Sequence, residues 1–307
     1  MIPRRGKAVA AALLTAALAA AGCGLGAGDE VGEVRLDVTR EFGSVPVITF
    51  LLTTANESDT AMRQLEANAD ITTRYGGGFV QSIDGVEGGQ HDGRSYDWFF
   101  FVNGVESPVG AAEYDLNAED SVWWDYRDWT AASRVPAVVG SWPEPLRDGY
   151  DGHVHRVVLR CEGGGEACAE TRRTLEAEGV TLASGSPPNA IRVLVGPWQR
   201  LRSDPAAALL GAGPAESGVY ARFEGDGAAT RLHGLDAAAA DARAFGPDAG
   251  LVAATRRYEA PPTWLVTGAT PAGVSAAAAA LSPGVLEHHY AVAIEGAKTT
   301  PLPVGEG

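Results

Sequence analysis

The 307-residue chain is short of several things at once. Positive charge is scarce: 24 Lys and Arg stand against 39 Asp and Glu, for a formal net charge of −15. Nucleic acid is held through Lys and Arg on its phosphates, so it is excluded as a partner. The same deficit argues against docking of the folded part on an anionic membrane surface; the acidity itself serves solubility. Cysteine is down to three residues, too few for a disulfide-dense scaffold. No apolar run reaches the roughly 20 residues that a membrane-spanning helix needs. A Walker loop, a Gly-x-Ser-x-Gly elbow and a His-Glu-x-x-His helix are all missing. Carboxylates are abundant but unpatterned, so no general acid–base pair can be named. The chain is therefore expected not to be an enzyme.

What is present begins at the N-terminus. Arg4, Arg5 and Lys7 precede an apolar run from Ala8 to Ala21. That is the layout of a secretory signal. The run ends in Ala20-Ala21-Gly22-Cys23, which resembles a lipobox, where bacteria attach diacylglycerol to a cysteine and cleave before it. The resemblance implies residues 1–22 as a lipoprotein signal peptide, lipidation at Cys23 and a Gly-rich tether over 23–30. It implies an extracytoplasmic chain held on the cell membrane by its acyl chains, each buried methylene contributing about 0.8 kcal/mol. Loss of the three cations in the leader takes the remainder to −18. In an oxidising compartment the two remaining cysteines, Cys161 and Cys168, form an even pair. They flank a flexible Gly-rich loop with no His at zinc spacing nearby, so a disulfide is favoured over a metal pair.

The chain divides near residue 150. Residues 31–147 read as a compact β-rich unit. Val34 to Arg40 alternates apolar and polar, the period of a half-buried strand, and Val47–Thr54 is a second apolar run. Thr60–Ala67 reads as a short helix with Asp59 as N-cap. Phe79–Ile83, Tyr96–Val102 and Asp120–Tyr126 read as strands, and Asn103-Gly104 is a favoured hairpin dipeptide. Residues 130–150 carry three prolines and read as an irregular connection.

Trp98-Phe99-Phe100-Phe101-Val102-Asn103-Gly104, then Gly110-Ala111, then Asp120-Ser121-Val122-Trp123-Trp124-Asp125-Tyr126, closely resembles the transcobalamin C-terminal-like domain. Thr39–Gly43 and Tyr75–Val80 fit the same bacterial subgroup. The resemblance covers under half the chain. It implies a β-grasp-like module, a mixed sheet crossed by one short helix. It also implies binding, since in the vitamin B12 carriers this module closes over the corrin ring with its loops. The expected ligand is a corrinoid such as cobalamin, or a similar amphipathic nutrient, handed to a membrane uptake transporter; no cofactor is required. The carriers hold the other side of their ligand with a large α-helical domain, which this chain lacks.

The candidate ligand contacts are Phe42, Tyr75, Asn103, Trp124, Tyr126 and Trp129. Aromatic faces stack on a corrin, and amide and backbone groups meet its rim. Core packing competes for each of them. Phe100 and Trp123 are expected in the core, Asn103 serves the turn as readily as a ligand, and Tyr126 and Trp129 lie at a strand end, where binding residues concentrate. Gly76 to Gly78 suit either close backbone approach or a β-bulge.

Residues 151–299 alternate strand candidates (155–160, 191–195, 218–223, 263–267, 290–294) with helix candidates (169–178, 205–210, 237–245, 272–281). This gives an α+β chain overall, with an α/β sandwich second domain built as two ferredoxin-like halves, and a tail at 300–307 without structure. Trp198 beside Arg200 and Arg202 could meet an anion or simply pack at a Pro-initiated helix start. His153 and His155 share one strand face without a third ligand. A structural or adhesive surface protein, whose first module meets protein or glycan, is the alternative reading.

Overall fold

A computed structural model describes residues 28–163 and 165–305. Cys23 and the leader lie outside the described residues. The chain is 19% helix and 39% strand, and the described residues form several sheets with no barrel among them, a β-rich mixed class.

The N-terminal module runs β1 (Glu30–Arg40), β2 (Val45–Asn56), α1 (Ala61–Asn68), β3 (Ile71–Arg74), β4 (Phe79–Ile83), β5 (Val86–Glu87), β6 (Gly89–His91), β7 (Arg94–Val102), β8 (Val105–Glu106) and β9 (Ser121–Asp128). Its main sheet has the order β2-β1-β9-β7-β6, with β8 paired to β7; β3, β4 and β5 form a small second sheet. The central strands β1 and β9 are parallel, and the outer pairs are antiparallel. One face of the sheet carries Val34, Leu36, Val38, Val122 and Trp124, which pack on Met62 and Leu65 of α1 and on Val80 and Ile83 of the small sheet. The N-cap of α1 is Thr60, whose hydroxyl accepts from the Arg63 amide at 3.3 Å. Asp59, expected there, instead accepts from the Asn56 amide at 2.9 Å.

The second domain runs β10 (Val157–Cys161), α2 (Gly165–Ala177), β11 (Ile191–Pro197), α3 (Trp198–Leu201), α4 (Pro214–Ser217), β12 (Ala221–Glu224), β13 (Arg231–Leu235), β14 (Asp241–Ala244), β15 (Gly250–Thr255), β16 (Thr263–Gly268), α5 (Pro271–Ala279), α6 (Pro283–Leu286), β17 (Ala291–Glu295) and β18 (Lys298–Leu302). One six-stranded sheet, β10-β11-β16-β15-β17-β18, takes strands from both ends of the domain, and β12-β13-β14 form a separate meander. The expected division into two halves is absent for that reason. Helices α2 and α5 cover one face, together with Trp142, Leu146 and Tyr150 from the 130–150 connection. That connection is irregular, as expected, and part of it is buried in the core.

Two local expectations fail. Residues 237–245 are a turn and then β14, not a helix. The Asp236 carboxylate accepts from the amides of Ala238 and Ala240 at 2.8 and 2.9 Å, and this local bond competes with helix formation. The tail also begins as strand, because Leu302 is buried and pairs with Ala291. Pro301 is tolerated there because β18 is an edge strand.

The two domains share a core. The second face of the module's sheet would be open in an isolated unit. Here Phe101 and Trp123, with Phe42 from the β1–β2 turn, join Tyr220, Tyr290 and Leu251 in one buried cluster. Phe42 meets Tyr220 and Tyr290 edge-on at 5.2 Å each. Gly43 is obligatory at this junction: φ is +85°, and a Cβ there would lie 1.7 Å from the His288 carbonyl oxygen. Two polar positions of β1 are also buried, against the strict alternation expected of a half-buried strand: Asp37 and Thr39 are 1% and 0% exposed.

Cys161 and Cys168 are bridged, with Cα atoms 5.9 Å apart across a sequence separation of 7. The link ties the end of β10 to the first turn of α2. Closure of so short a loop restricts the unfolded chain by about 2–3 kcal/mol in the chain-entropy treatment. A Cys161→Ser/Cys168→Ser chain should lose that much stability in urea unfolding, and an unchanged midpoint would contradict it.

Candidate functional site

The six candidate contacts separate into two groups. Phe42 is spent in the interdomain cluster. Trp124 is 2% exposed and stacks on Phe100 at 5.0 Å. Asn103 is 1% exposed at φ 52° in the hairpin turn. Its amide nitrogen donates to the Asp120 carboxylate at 3.1 Å and the Gly149 carbonyl at 2.9 Å, and its Oδ1 accepts from the Ser121 amide at 2.8 Å. Every polar atom of that side chain is used internally.

Tyr75, Tyr126 and Trp129 remain at the surface, at the end of the module where β6, β7 and the small sheet meet. Their placement follows from strand register. Trp98 lies opposite Tyr126, and Tyr96 opposite Asp128, so Tyr96 and Tyr126 are diagonal neighbours on one face. Their rings stack at 5.6 Å and 17°. Trp98 lies beneath Tyr126 at 5.3 Å, and His91 extends the row beyond Tyr96 at 5.8 Å. Tyr96 and Tyr126 are half-buried and His91 is exposed, so the row forms a shelf with one side packed and one side open.

Polar groups frame it. The Tyr126 hydroxyl donates to the Glu87 carbonyl at 3.1 Å. The Glu87 carboxylate pairs with Arg74 at 3.1 Å. On the opposite face, Trp129 donates from Nε1 to Asp97 at 2.9 Å. Burial raises the Asp97 pKa, with the Trp129 bond and Arg74 partly offsetting it. Burial and then Asp97 raise Tyr126 in turn. Tyr75 follows Arg74 in a 3-10 turn, 87% exposed, with Phe79 at 6.2 Å. Gly76 and Gly77 take positive φ with nothing within 4 Å of a Cβ; they shape the turn and admit no neighbouring backbone. Sequence reasoning missed Tyr96 and His91. Tyr96 opens the aromatic strand but was not singled out as a contact, His91 lies before it, and only the β7–β9 register brings Tyr96 onto Tyr126.

Elsewhere the structure resolves two open alternatives. Trp198 is buried and stacks on Phe223 at 4.8 Å, so the Gly-Pro-Trp segment is a packed helix start. His155 stacks on Tyr150 at 4.3 Å. Among the described residues, no group of three or more His, Cys, Asp or Glu is placed to hold a metal, and no helix is long and apolar enough to cross a membrane.

A family model described as "Domain of unknown function (DUF4430)" matches residues 58–128, from the cap of α1 to the end of β9. No curated protein matches the chain. Among solved structures, the chain is similar to one described as a "putative metal binding protein" from Ruminococcus gnavus ATCC 29149, at 12% identity and a TM-score of 0.24, over 32% of this chain and 97% of that one.

Proposed function

We propose that this chain is a lipid-anchored, extracytoplasmic binding protein whose N-terminal β-grasp-like module takes an amphipathic small molecule, with a corrinoid such as cobalamin as the leading ligand. The observation that carries the reading is the stacked row of Tyr96, Tyr126 and His91, open on one side and framed by Arg74 and Glu87. A flat ring with an apolar face and an amide rim matches such a shelf: aromatics cover the face, while a carboxylate, a guanidinium and backbone groups meet the rim. The second domain packs on the rear face of the sheet, away from the shelf, so in this reading the first module takes the ligand without a domain facing it. Delivery to a membrane transporter follows from an anchor at Cys23.

The test is a titration of the whole chain in detergent with cobalamin and cobinamide. A shift of the corrin absorption bands is expected, reduced at least tenfold in affinity by Tyr96→Ala with Tyr126→Ala, since base-like ring stacking contributes about 1–3 kcal/mol per ring. No spectral change at high micromolar ligand would sink the corrinoid reading. Release of a Cys23→Ser chain from membranes tests the anchor separately.

One observation favours a protein partner instead. Strand β2 is an unpaired edge of 12 residues, and Phe50 and Leu52 on it are 57% and 61% exposed. Exposed apolar edges of this kind add strands from other chains. A corrinoid-silent protein that pairs through β2 would support that reading.

A further inference from the structure

The second domain carries a cavity of about 330 Å³, none of whose lining residues belongs to the aromatic shelf. It lies on the sheet face away from α2 and α5, where β10, β11 and β16 are not fully covered. Val158 and Ala206 give it an apolar lining, and Pro187, Pro205 and Pro261 fix its rim. Proline walls do not reorganise on binding, which lowers the ordering cost of a ligand.

Three arginines reach the same cavity: Arg160, Arg192 and Arg257. Arg192 is neutralised. It is held by both oxygens of Asp204 at 2.5 and 3.1 Å and by the Thr263 hydroxyl at 2.9 Å. Arg160 and Arg257 are different. Among the described residues neither has a carboxylate within ion-pair distance, although the chain is strongly acidic. Arg160 is steered inward by the Ser186 hydroxyl, which accepts from its Nη2 at 2.7 Å. Two uncompensated guanidinium groups over a rigid apolar lining make a site for a molecule with one oxyanion and a compact apolar body. Arginine's planar fork matches both carboxylate and phosphate oxygens, and the volume falls within the range of small-molecule sites.

We propose that this cavity binds a small oxyanion-bearing molecule with an apolar body, a carboxylate or a phosphate monoester. The shelf of the first module plays no part in it, so the two readings stand or fall independently.

The experiment measures melting temperature and titration heats of the whole chain at fixed ionic strength with benzoate, phenyl phosphate, inorganic phosphate and phenol. Benzoate or phenyl phosphate should stabilise the protein at about 10 mM, a concentration that reveals millimolar affinities; which of the two binds more tightly names the oxyanion. Phenol, which keeps the ring without the charge, should not stabilise it. An Arg160→Gln/Arg257→Gln chain should bind at least tenfold more weakly, as loss of charged hydrogen bonds implies. Both side chains are exposed, so folding should survive the change. Arg172→Gln/Arg173→Gln on α2, an equal charge loss elsewhere, should leave affinity unaltered. Absence of binding by both aryl anions, or equal affinity in the double variant, overturns the proposal. So does inorganic phosphate binding as tightly as phenyl phosphate while benzoate is silent, because the apolar lining would then contribute nothing.

Discussion

Asp125→Ala is expected to destabilise the protein by about 3–5 kcal/mol, the range for removing one member of a buried charged network. Asp125 is fully buried between the domains. One carboxylate oxygen accepts from the Thr39 hydroxyl at 2.6 Å and the Gly43 amide at 3.0 Å, and the other accepts from the Tyr290 hydroxyl at 2.9 Å. Alanine leaves the Gly43 amide and the Tyr290 hydroxyl without an acceptor, each at about 1–3 kcal/mol, and leaves the Thr39 hydroxyl only the Trp124 carbonyl at 3.5 Å. Asp125→Asn keeps the shape and one acceptor, so its cost should be smaller.

The same residue sets a pH dependence. Burial pushes the Asp125 carboxyl up to about 6, against the opposing pull of Thr39, Tyr290, Gly43 and Arg127. Burial also pushes Asp120 to about 6 and raises Glu144 in the same direction. A carboxyl whose pKa is raised by folding holds its proton more tightly in the folded state. Its stabilising share is complete below about pH 4 and is lost as pH rises through about 6, at up to roughly 3 kcal/mol for a two-unit shift. Two histidines oppose this. Burial lowers His155 and His289, so they cost stability as pH falls below about 6.5. The carboxylates should win, because their shifts are the large ones. At the acid end, burial raises Asp37 and Asp204, but hydrogen bonds from His288 and Arg35, and from Arg192, more than offset it and hold both below their usual range. Their contribution is lost below about pH 4. The melting temperature should therefore peak near pH 5 and fall toward about pH 7.5. Asp125→Asn should flatten that fall; an Asn variant with the parental slope would show that Asp125 is not its source.

The second large effect is expected from Trp123→Ala, at about 3–5 kcal/mol. In a chain of this size that lowers the melting temperature by on the order of 10 °C. Trp123 is 1% exposed, lies 5.5 Å from both Phe101 and Tyr290, and donates from Nε1 to the Thr39 hydroxyl at 2.7 Å. Its neighbour Trp124 is buried as deeply on the opposite face, among residues of the first module alone. Both variants should lose stability. In hydrogen exchange, Trp123→Ala should loosen β9 and β17 together, whereas Trp124→Ala should spare β17. If Trp123→Ala left β17 protected, the shared core would not be what joins the domains.

The aromatic strand β7, the Asn103-Gly104 turn and the helix α1 were legible because each depends on near neighbours. Alternation, a dipeptide needing positive φ twice, and a polar cap suffice to place them. Strand β15 was not legible: all of Gly250–Thr255 is buried, so it shows no alternation, and its small residues resemble the Ala-rich helices around it. Of the candidate site, Tyr126 and Trp129 were readable from their position at a strand end. Their partners Tyr96 and Asp97 depend on which residue of β9 lies opposite which residue of β7.

By itself, the sequence determined the net charge, the disulfide pair, and the strands and helices whose pattern is local. Tertiary structure alone decided which aromatics are free. Trp123 and Trp124 point to opposite faces of one strand, and a single module could bury only one of those faces. The second domain, packed on the rear of the sheet, buries the other. Phe42, Trp123 and Asp125 are thereby committed to holding the domains together, and the aromatics of β7 and β9 left at the surface include the Tyr96–Tyr126 pair. No spacing along the chain records that choice, because it is made by contacts between residues more than a hundred positions apart.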